Sequence, residues 1–389
     1  MDVVKFCSDL VSHKSVTPCD DGAIDYIADF LKSLGFETQI LTFADESGNN
    51  SVKNLFAKYG SSDKILGFLG HSDVVPPGDN WNSDPFVATK KDDILIGRGV
   101  ADMKGGIAAF CCAVEEFLKT SKKKDDCCIM FFITGDEEIG SKQGMQSLLE
   151  WCKERKFIPT DCLIGEPSSS FKVGDRVYIG HRGSLNAIAK YVGKQGHTAY
   201  PESFDNSLVP ICKFVKHMLK YNWNHLDKTY PKTSIEPTML FTNNYAENVV
   251  PDQSSVNFNI RFGADYHAED IIRIMREEAE KYRVSMEFKV SGNAYMCDNT
   301  KLKTVLSEAI KEITGLTPEF STAGGTSDGR HMVSLCNVIE FGLPDALIHQ
   351  KNERIRVDDL KILQRIYQKF LENYFDQLIT YLSPSLMRR

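Results

Sequence analysis

Short apolar runs constrain this chain more than any other feature of it. They are Ile65-Leu66-Gly67-Phe68-Leu69-Gly70, Cys128-Ile129-Met130-Phe131-Phe132-Ile133, Cys162-Leu163-Ile164 and Val338-Ile339-Glu340-Phe341, with Ala346-Leu347-Ile348 as a fifth. Each is too short for a helix and lacks polar alternation. That pattern fits strands buried on both faces, as in a mostly parallel sheet covered by helices. Four of the five run into a residue able to bind a metal. His71 ends the first, Glu137 and Glu138 follow the second, Glu166 the third, and His349 the fifth. In open α/β sheets the site forms at the carboxyl ends of the strands. These side chains are therefore expected at one edge.

A fourth carboxylate enters through Gly97-Arg98-Gly99-Val100-Ala101-Asp102-Met103-Lys104-Gly105-Gly106. From Ile107, the residues Phe110, Cys111, Val114, Phe117 and Leu118 keep the spacing of an amphipathic helix. Asp102 sits at the mouth of that helix. Alone it would sooner be a helix cap. Beside the other ligand-type residues it reads as a metal ligand on a rigid turn.

The 389 residues are 42% hydrophobic, enough for a full core and two domains. A formal net charge of -7 leaves no basic footprint for nucleic acid or an anionic membrane. No apolar run approaches the ~20 residues that span a bilayer, and the N-terminus lacks a secretory pattern. The 11 cysteines contain no C-x-x-C pair, which fits reduced thiols in a cytoplasmic protein.

Along the chain, two helices are expected within residues 2–34, with Gly35 as a C-cap. Strands follow near 37–43 and 54–58. Past about residue 180, Leu185, Ala187, Ala189 and Tyr191 alternate with mostly polar neighbours, as in a half-buried strand. The order from there is strand, helix (208–221), strand (233–242), strand (256–262), helix (268–282), strand (285–290). That is a ferredoxin-like split βαβ arrangement. The fold class is thus α/β: a catalytic domain of 1–180 and 293–389 with a mixed, mostly parallel sheet flanked by helices, and an inserted α+β domain at 181–292. Helices near 300–314 and 357–382 complete the first domain.

A dinuclear hydrolytic centre needs two cations about 3.5–4 Å apart. Two like charges that close need a bridging anion, and each needs its own imidazole and carboxylate. His71 and His349 with Asp102, Glu137, Glu138 and Glu166 supply such a set. Only one of the adjacent Glu137 and Glu138 can easily be a ligand, leaving the other free to take a proton from water. Asp73, two residues after His71, is placed to orient its imidazole through the second ring nitrogen. Without the others, Glu166 would be a loop acid and His349 an ordinary histidine. Imidazole and carboxylate suit Zn2+, with Co2+ or Mn2+ also accepted.

Together these segments resemble the di-zinc aminoacylase and exopeptidase family over almost the whole chain. The resemblance rests on Gly70 to Gly78, Trp81 with Asp84-Pro85-Phe86, Gly97 to Gly106, and Thr134 to Glu138. It continues through Gly196-His197-Thr198-Ala199-Tyr200-Pro201, Asn248-Val249-Val250-Pro251, Ser321 to Arg330, and His349 with Asn352-Glu353. It implies two Zn2+ per subunit: His71, Asp102 and Glu166 on one, Asp102, Glu138 and His349 on the other, with Asp102 bridging. It implies Glu137 as general base and a homodimer in which His197 reaches the partner's site to steady the oxyanion. His181, Ser184, Tyr200, Asn248, Arg261, Gly325 and Thr326 match substrate positions. The double proline after Val75 and the Gly324–Arg330 stretch favour the branch that cleaves N-succinyl-L,L-diaminopimelate to succinate and L,L-diaminopimelate. One departure is visible: His181-Arg182-Gly183-Ser184 stands where the family has two arginines before Gly-Ser. Related readings are an acetylornithine deacetylase-like deacylase or an exopeptidase. A non-catalytic binding protein on this fold should have lost a ligand or the base, and none is missing.

Overall fold

The computed structural model describes residues 1–376 except Asn49, Lys123 and Ser141. They fall into two compact units. The first comprises Met1–Ile179, Cys297–Phe320 and the chain from Ser327; the second comprises Gly180–Met296 and Ser321–Thr326.

The first unit is built on a sheet of eight strands among the described residues. Their order is Glu37–Ala44, Ser51–Gly60, Cys128–Thr134, Ile65–His71, Asp161–Ile164, Asn337–Glu340, Arg176–Tyr178, Glu319–Ser321. The central four are parallel and are the apolar runs of the sequence. Antiparallel strands extend the sheet on both sides, so it is mixed with a parallel centre. Every residue of Cys128–Thr134 is buried, as expected of a strand covered on both faces.

Helices cover the sheet where their sequences stop and start them. Ala23–Ser33 ends at Gly35, whose φ of +89° is open to glycine, and the Phe36 N–H returns to the Leu31 carbonyl. Thr300–Thr314 begins under Asn299, whose side chain accepts the Leu302 N–H. Lys104–Thr120 is buried almost all round because it runs between the sheet and Val357–Asp376. Phe68 from the sheet, Phe110 and Tyr367 from these two helices, and Phe131 form one aromatic cluster. Phe68 and Phe110 stack at 4.0 Å. Fully burying such side chains contributes roughly 1.5–3 kcal/mol each.

The second unit is a four-stranded antiparallel sheet ordered Ser234–Thr242, Gln253–Phe262, Gly183–Val192, Ser285–Gly292. Helices Leu208–Met218 and Ala268–Glu280 pack on the face carrying Leu185, Ala187, Phe258 and Ile260. This is the split βαβ order.

Three expectations change. Ala346–Ile348 is a turn, not a strand: Ile348 donates to the Asp345 carbonyl, and His349 has a left-handed φ of +59°. Ile348 packs against the core without joining the sheet. Residues 321–326, expected in the first domain, go with the second unit, where the Thr322 hydroxyl donates to the Thr229 carbonyl. The final helix is described to Asp376, and its expected extension over 377–382 lies outside the described residues. No helix of the described residues is long and apolar enough to cross a membrane, and all eleven cysteines are free.

Candidate dinuclear metal centre

Two backbone features bring the ligand-type residues to one edge. His71 ends Ile65–His71, and Glu166 follows Asp161–Ile164 by one turn residue. Gly106, in the first turn of Lys104–Thr120, faces the backbone of Gly165. A Cβ there would stand 2.2 Å from the Gly165 carbonyl oxygen. Only glycine lets the helix mouth approach Glu166 this closely. Gly99, at φ +85°, turns the chain just before Asp102.

Asp102 does not cap its helix; the cap position is Met103, which makes no side-chain capping bond. Its carboxylate instead splits between two histidines. Oδ1 lies 3.2 Å from His71 Nε2, and Oδ2 lies 3.2 Å from His349 Nε2. His71 Nε2 is also 3.5 Å from Glu166, and His349 Nε2 is 3.1 Å from Glu138. Two donor groups result, His71–Asp102–Glu166 and Asp102–Glu138–His349, each with atoms within 4.8 Å of one another. They share one residue and use its two oxygens separately.

The electrostatics describe a cluster that needs positive charge. Burial opposes a charged His71, but Glu166, Asp102 and Asp73 outweigh it and hold the imidazole well above its usual range. His349 is pushed up to about 10 by its bonds to Asp102 and Glu138. Burial works against the Asp102 carboxylate, and the two imidazoles nonetheless hold it well below the ordinary range. Burial drives the Glu166 carboxyl well up, with Asp102 and Glu137 adding to the effect. The imidazolium protons thus balance carboxylates that two divalent cations would balance instead. Two imidazoles and three carboxylates, all converging on two points, are the chemistry of a Zn2+-type donor set.

Glu137 belongs to neither donor group. It is half-buried, and its carboxyl rises well above the usual range, first through desolvation and then through Asp328 and Glu138. Arg330 approaches it at 3.8 Å. Asp136 turns away, accepting the Gln143 and Gly144 N–H groups at 3.0 Å. Asp73 meets the second ring nitrogen of His71, by another route than strand alternation. The strand ends at His71, so strand alternation does not place residue 73. The His71 Nδ1 partner is the Asp73 backbone carbonyl at 2.9 Å, with the carboxylate at 3.5 Å. That carboxylate accepts the N–H groups of Glu137 and Glu138, both at 3.3 Å. Asp73 therefore orients the acidic turn as well as the imidazole.

The remaining predicted residues lie in the second unit. His197, Tyr200 and Asn248 gather beside the two-residue ladder of Gly196–His197 with Val249–Val250. His197 Nδ1 accepts the Ala199 N–H at 3.1 Å. Asn248 Nδ2 is 3.4 Å from Nε2 of the same ring, and all three residues are exposed. Ser184 is buried and stands opposite Arg261 across the sheet. Arg261 is held by Asn259 at 3.0 Å, which in turn binds Asn186 at 2.9 Å. His181 is buried edge-on against Tyr295. Gly325 is exposed and Thr326 half-buried.

Two features escaped the sequence reading. Arg182 lies near enough to Arg261 for the two cations to repel; burial and that repulsion both weaken Arg261's hold on its proton. The signal was the run His181-Arg182-Gly183-Ser184 itself. Glu353, quoted only as part of a motif, is buried and bonded to the Asp102 loop.

Residues 67–373 match peptidase family M20/M25/M40. The succinyl-diaminopimelate desuccinylase of Zymomonas mobilis is 36% identical over 375 residues, covering 96% of this chain and 98% of that protein. The enzyme of the same name from Gluconobacter oxydans is 38% identical over 384 residues, covering 96% and 97%. Among solved structures, an M20 family metallo-carboxypeptidase from Sulfolobus solfataricus superposes with a TM-score of 0.79 at 16% identity, covering 96% of this chain and 99% of that one.

Proposed function

The chain belongs to peptidase family M20/M25/M40, and on that premise we propose that it hydrolyses N-succinyl-L,L-diaminopimelate to succinate and L,L-diaminopimelate at a two-metal centre. The observation that carries the reading is Asp102, whose two oxygens face two separate histidine–carboxylate groups. His71 and Glu166 would complete one site, Glu138 and His349 the other, with Zn2+ the metal that the donors suit best and Co2+ or Mn2+ accepted. Bound there, two cations would supply Lewis-acid polarisation of the amide carbonyl and a water activated near neutral pH.

The chain's own groups do the rest. Glu137, half-buried beside the donor groups, takes the proton of the attacking water and passes it to the departing amine. Asp73 keeps Glu137 and Glu138 apart in role by holding both backbone N–H groups. His197 donates a ring N–H to the developing oxyanion. Arg182 and Arg261, two half-buried guanidiniums, suit the carboxylates at the ends of the substrate. His181, Ser184, Tyr200, Asn248, Gly325 and Thr326 would line the same substrate.

A second copy of the chain is the partner this reading requires, because His197 is supplied across a homodimer. The support is the edge strand Ser234–Thr242, where Met239, Leu240 and Phe241 are 53%, 58% and 53% exposed. A bare apolar edge is a template for pairing. The protein works in the cytoplasm on a small soluble substrate.

The test offers N-succinyl-L,L-diaminopimelate and N-acetylornithine side by side to zinc-loaded protein. Glu137→Ala and a chelated sample serve as controls. Turnover of the succinyl compound alone, lost in both controls, is the expected result. Preference for the acetyl compound would leave the mechanism and remove the substrate.

A further inference from the structure

The Asn352-Glu353 pair and Arg98 belong to motifs that the mechanism above leaves without a role. Glu353 is 1% exposed. Its carboxylate accepts from Arg98 Nη1 at 2.6 Å and from the backbone N–H groups of Gly99, Ala101 and Asp102 at 3.1, 2.9 and 3.2 Å. One carboxylate thus binds nearly every free N–H of the loop that presents Asp102. Glu353 also lies four residues after His349. Between them, Asn352 accepts the Asn82 N–H at 2.8 Å, and the Gly97 N–H donates to the Glu353 carbonyl at 3.0 Å. On the far side, the Arg98 guanidinium lies over the Trp81 ring at 5.3 Å.

A buried ion pair by itself says little about stability. This one is distinguished by where its hydrogen bonds go. Resting on the dinuclear reading, we infer that Glu353 and Arg98 are a positioning pair: they set the Asp102 carboxylate between the two cations and tie it to the turn that carries His349. The two donor groups depend on the pair unequally. The His71–Asp102–Glu166 group has two members anchored independently at strand ends. The Asp102–Glu138–His349 group has two members on segments that Glu353 joins. Loosening Glu353 should therefore weaken the second metal far more than the first.

The experiment titrates metal-stripped protein with Zn2+ by calorimetry and follows amide exchange over residues 99–102. Glu353→Asp keeps the charge facing Arg98 but withdraws the carboxylate from the backbone N–H groups. It should weaken the second Zn2+ by about tenfold or more, the usual effect of losing a residue that orients a ligand. The first should change by no more than about threefold on the same scale. Exchange at 99–102 should accelerate. Asp161→Asn is the control, since Asp161 pairs with Tyr374 and Asn337 at the opposite end of its strand. It should lower Tm and leave both affinities alone. If Glu353→Asp does not fold, Arg98→Lys reads the same ratio, with the same selective loss expected. A folded variant that binds both ions as the parent does, or that loses both equally, overturns the inference and leaves the dinuclear reading standing. A parent chain that takes up fewer than two Zn2+ overturns both.

Discussion

Two groups of site residues, one in each unit, are held in opposite ways. In the first, His71, Asp73, Asp102 and Glu353 are all buried, and each is held by named partners. In the second, His197, Tyr200 and Asn248 stand exposed on a two-residue ladder, and the edge strand shows three apolar side chains. The difference teaches which part of the reaction is prepared in advance. Holding metal cations requires ligands fixed before substrate arrives, oriented by buried partners. Recognising a flexible substrate or a second chain tolerates side chains that settle on contact.

Removing the shared ligand should break the contrast most. Asp102→Ala takes a donor from both groups at once. We expect kcat/KM to fall on the order of 1000-fold or more, as loss of several kcal/mol of Lewis-acid stabilisation implies. Metal content by mass spectrometry should fall with it. Glu137→Gln should cost kcat about 100- to 10000-fold, the range for a general base, while both metals stay bound. Retained metal with retained activity would move the base elsewhere.

The second unit should answer more mildly. Leu240→Asp places a charge on the bare edge, so light scattering should report single chains. Activity should fall about 100-fold or more as the His197 donor is lost. A fully active single chain would separate His197 from the chemistry. Arg261→Gln should raise KM by roughly ten- to a hundredfold, as expected of a hydrogen-bonded charge. Metal content and kcat should hold. Equal turnover of succinyl and acetyl substrates by this variant would sharpen its role to the succinyl or distal carboxylate.

The smallest effect concerns pH. In metal-free protein His349 titrates at about 10, above its ordinary 6.5. Its pairing therefore contributes fully below about pH 6.5 and is lost as pH rises toward 10. The side chain is half-exposed, so solvent screening keeps the contribution modest. The Tm of chelated protein should decline across that window, and zinc-loaded protein should not follow. Zinc binding at pH 7 should also release protons, measurable by calorimetry in buffers of different ionisation heats.

Much of this is legible in the sequence alone. Runs without polar alternation, such as Cys128–Thr134, identify strands covered on both faces, because burial on both sides removes the polar residues. Alternation in Leu185–Tyr191 identifies a sheet with one covered face for the converse reason. Most ligand-type residues were legible because they stand at or just beyond such a run, and Asp102 because it sits at the mouth of a patterned helix. His349 was legible as a residue and misread as structure: three apolar residues cannot distinguish a strand from a turn lying on the core. Asp73 was legible as a neighbour of His71. That its carboxylate serves the 137–138 turn was not, because residues 64 positions apart meet only through the parallel pairing of two strands.

The sequence by itself determined the fold class, the order of elements and the roster of imidazoles and carboxylates, because periodicity and residue type are local properties of the chain. Only the tertiary structure decided which oxygen of Asp102 faces which histidine, that Arg182 stands beside Arg261, and that Glu353 holds the loop of Asp102 from 251 positions away. These depend on distances and directions between segments far apart in the chain. Packing, such as the approach of Gly106 to Gly165, sets them, and no local pattern records it.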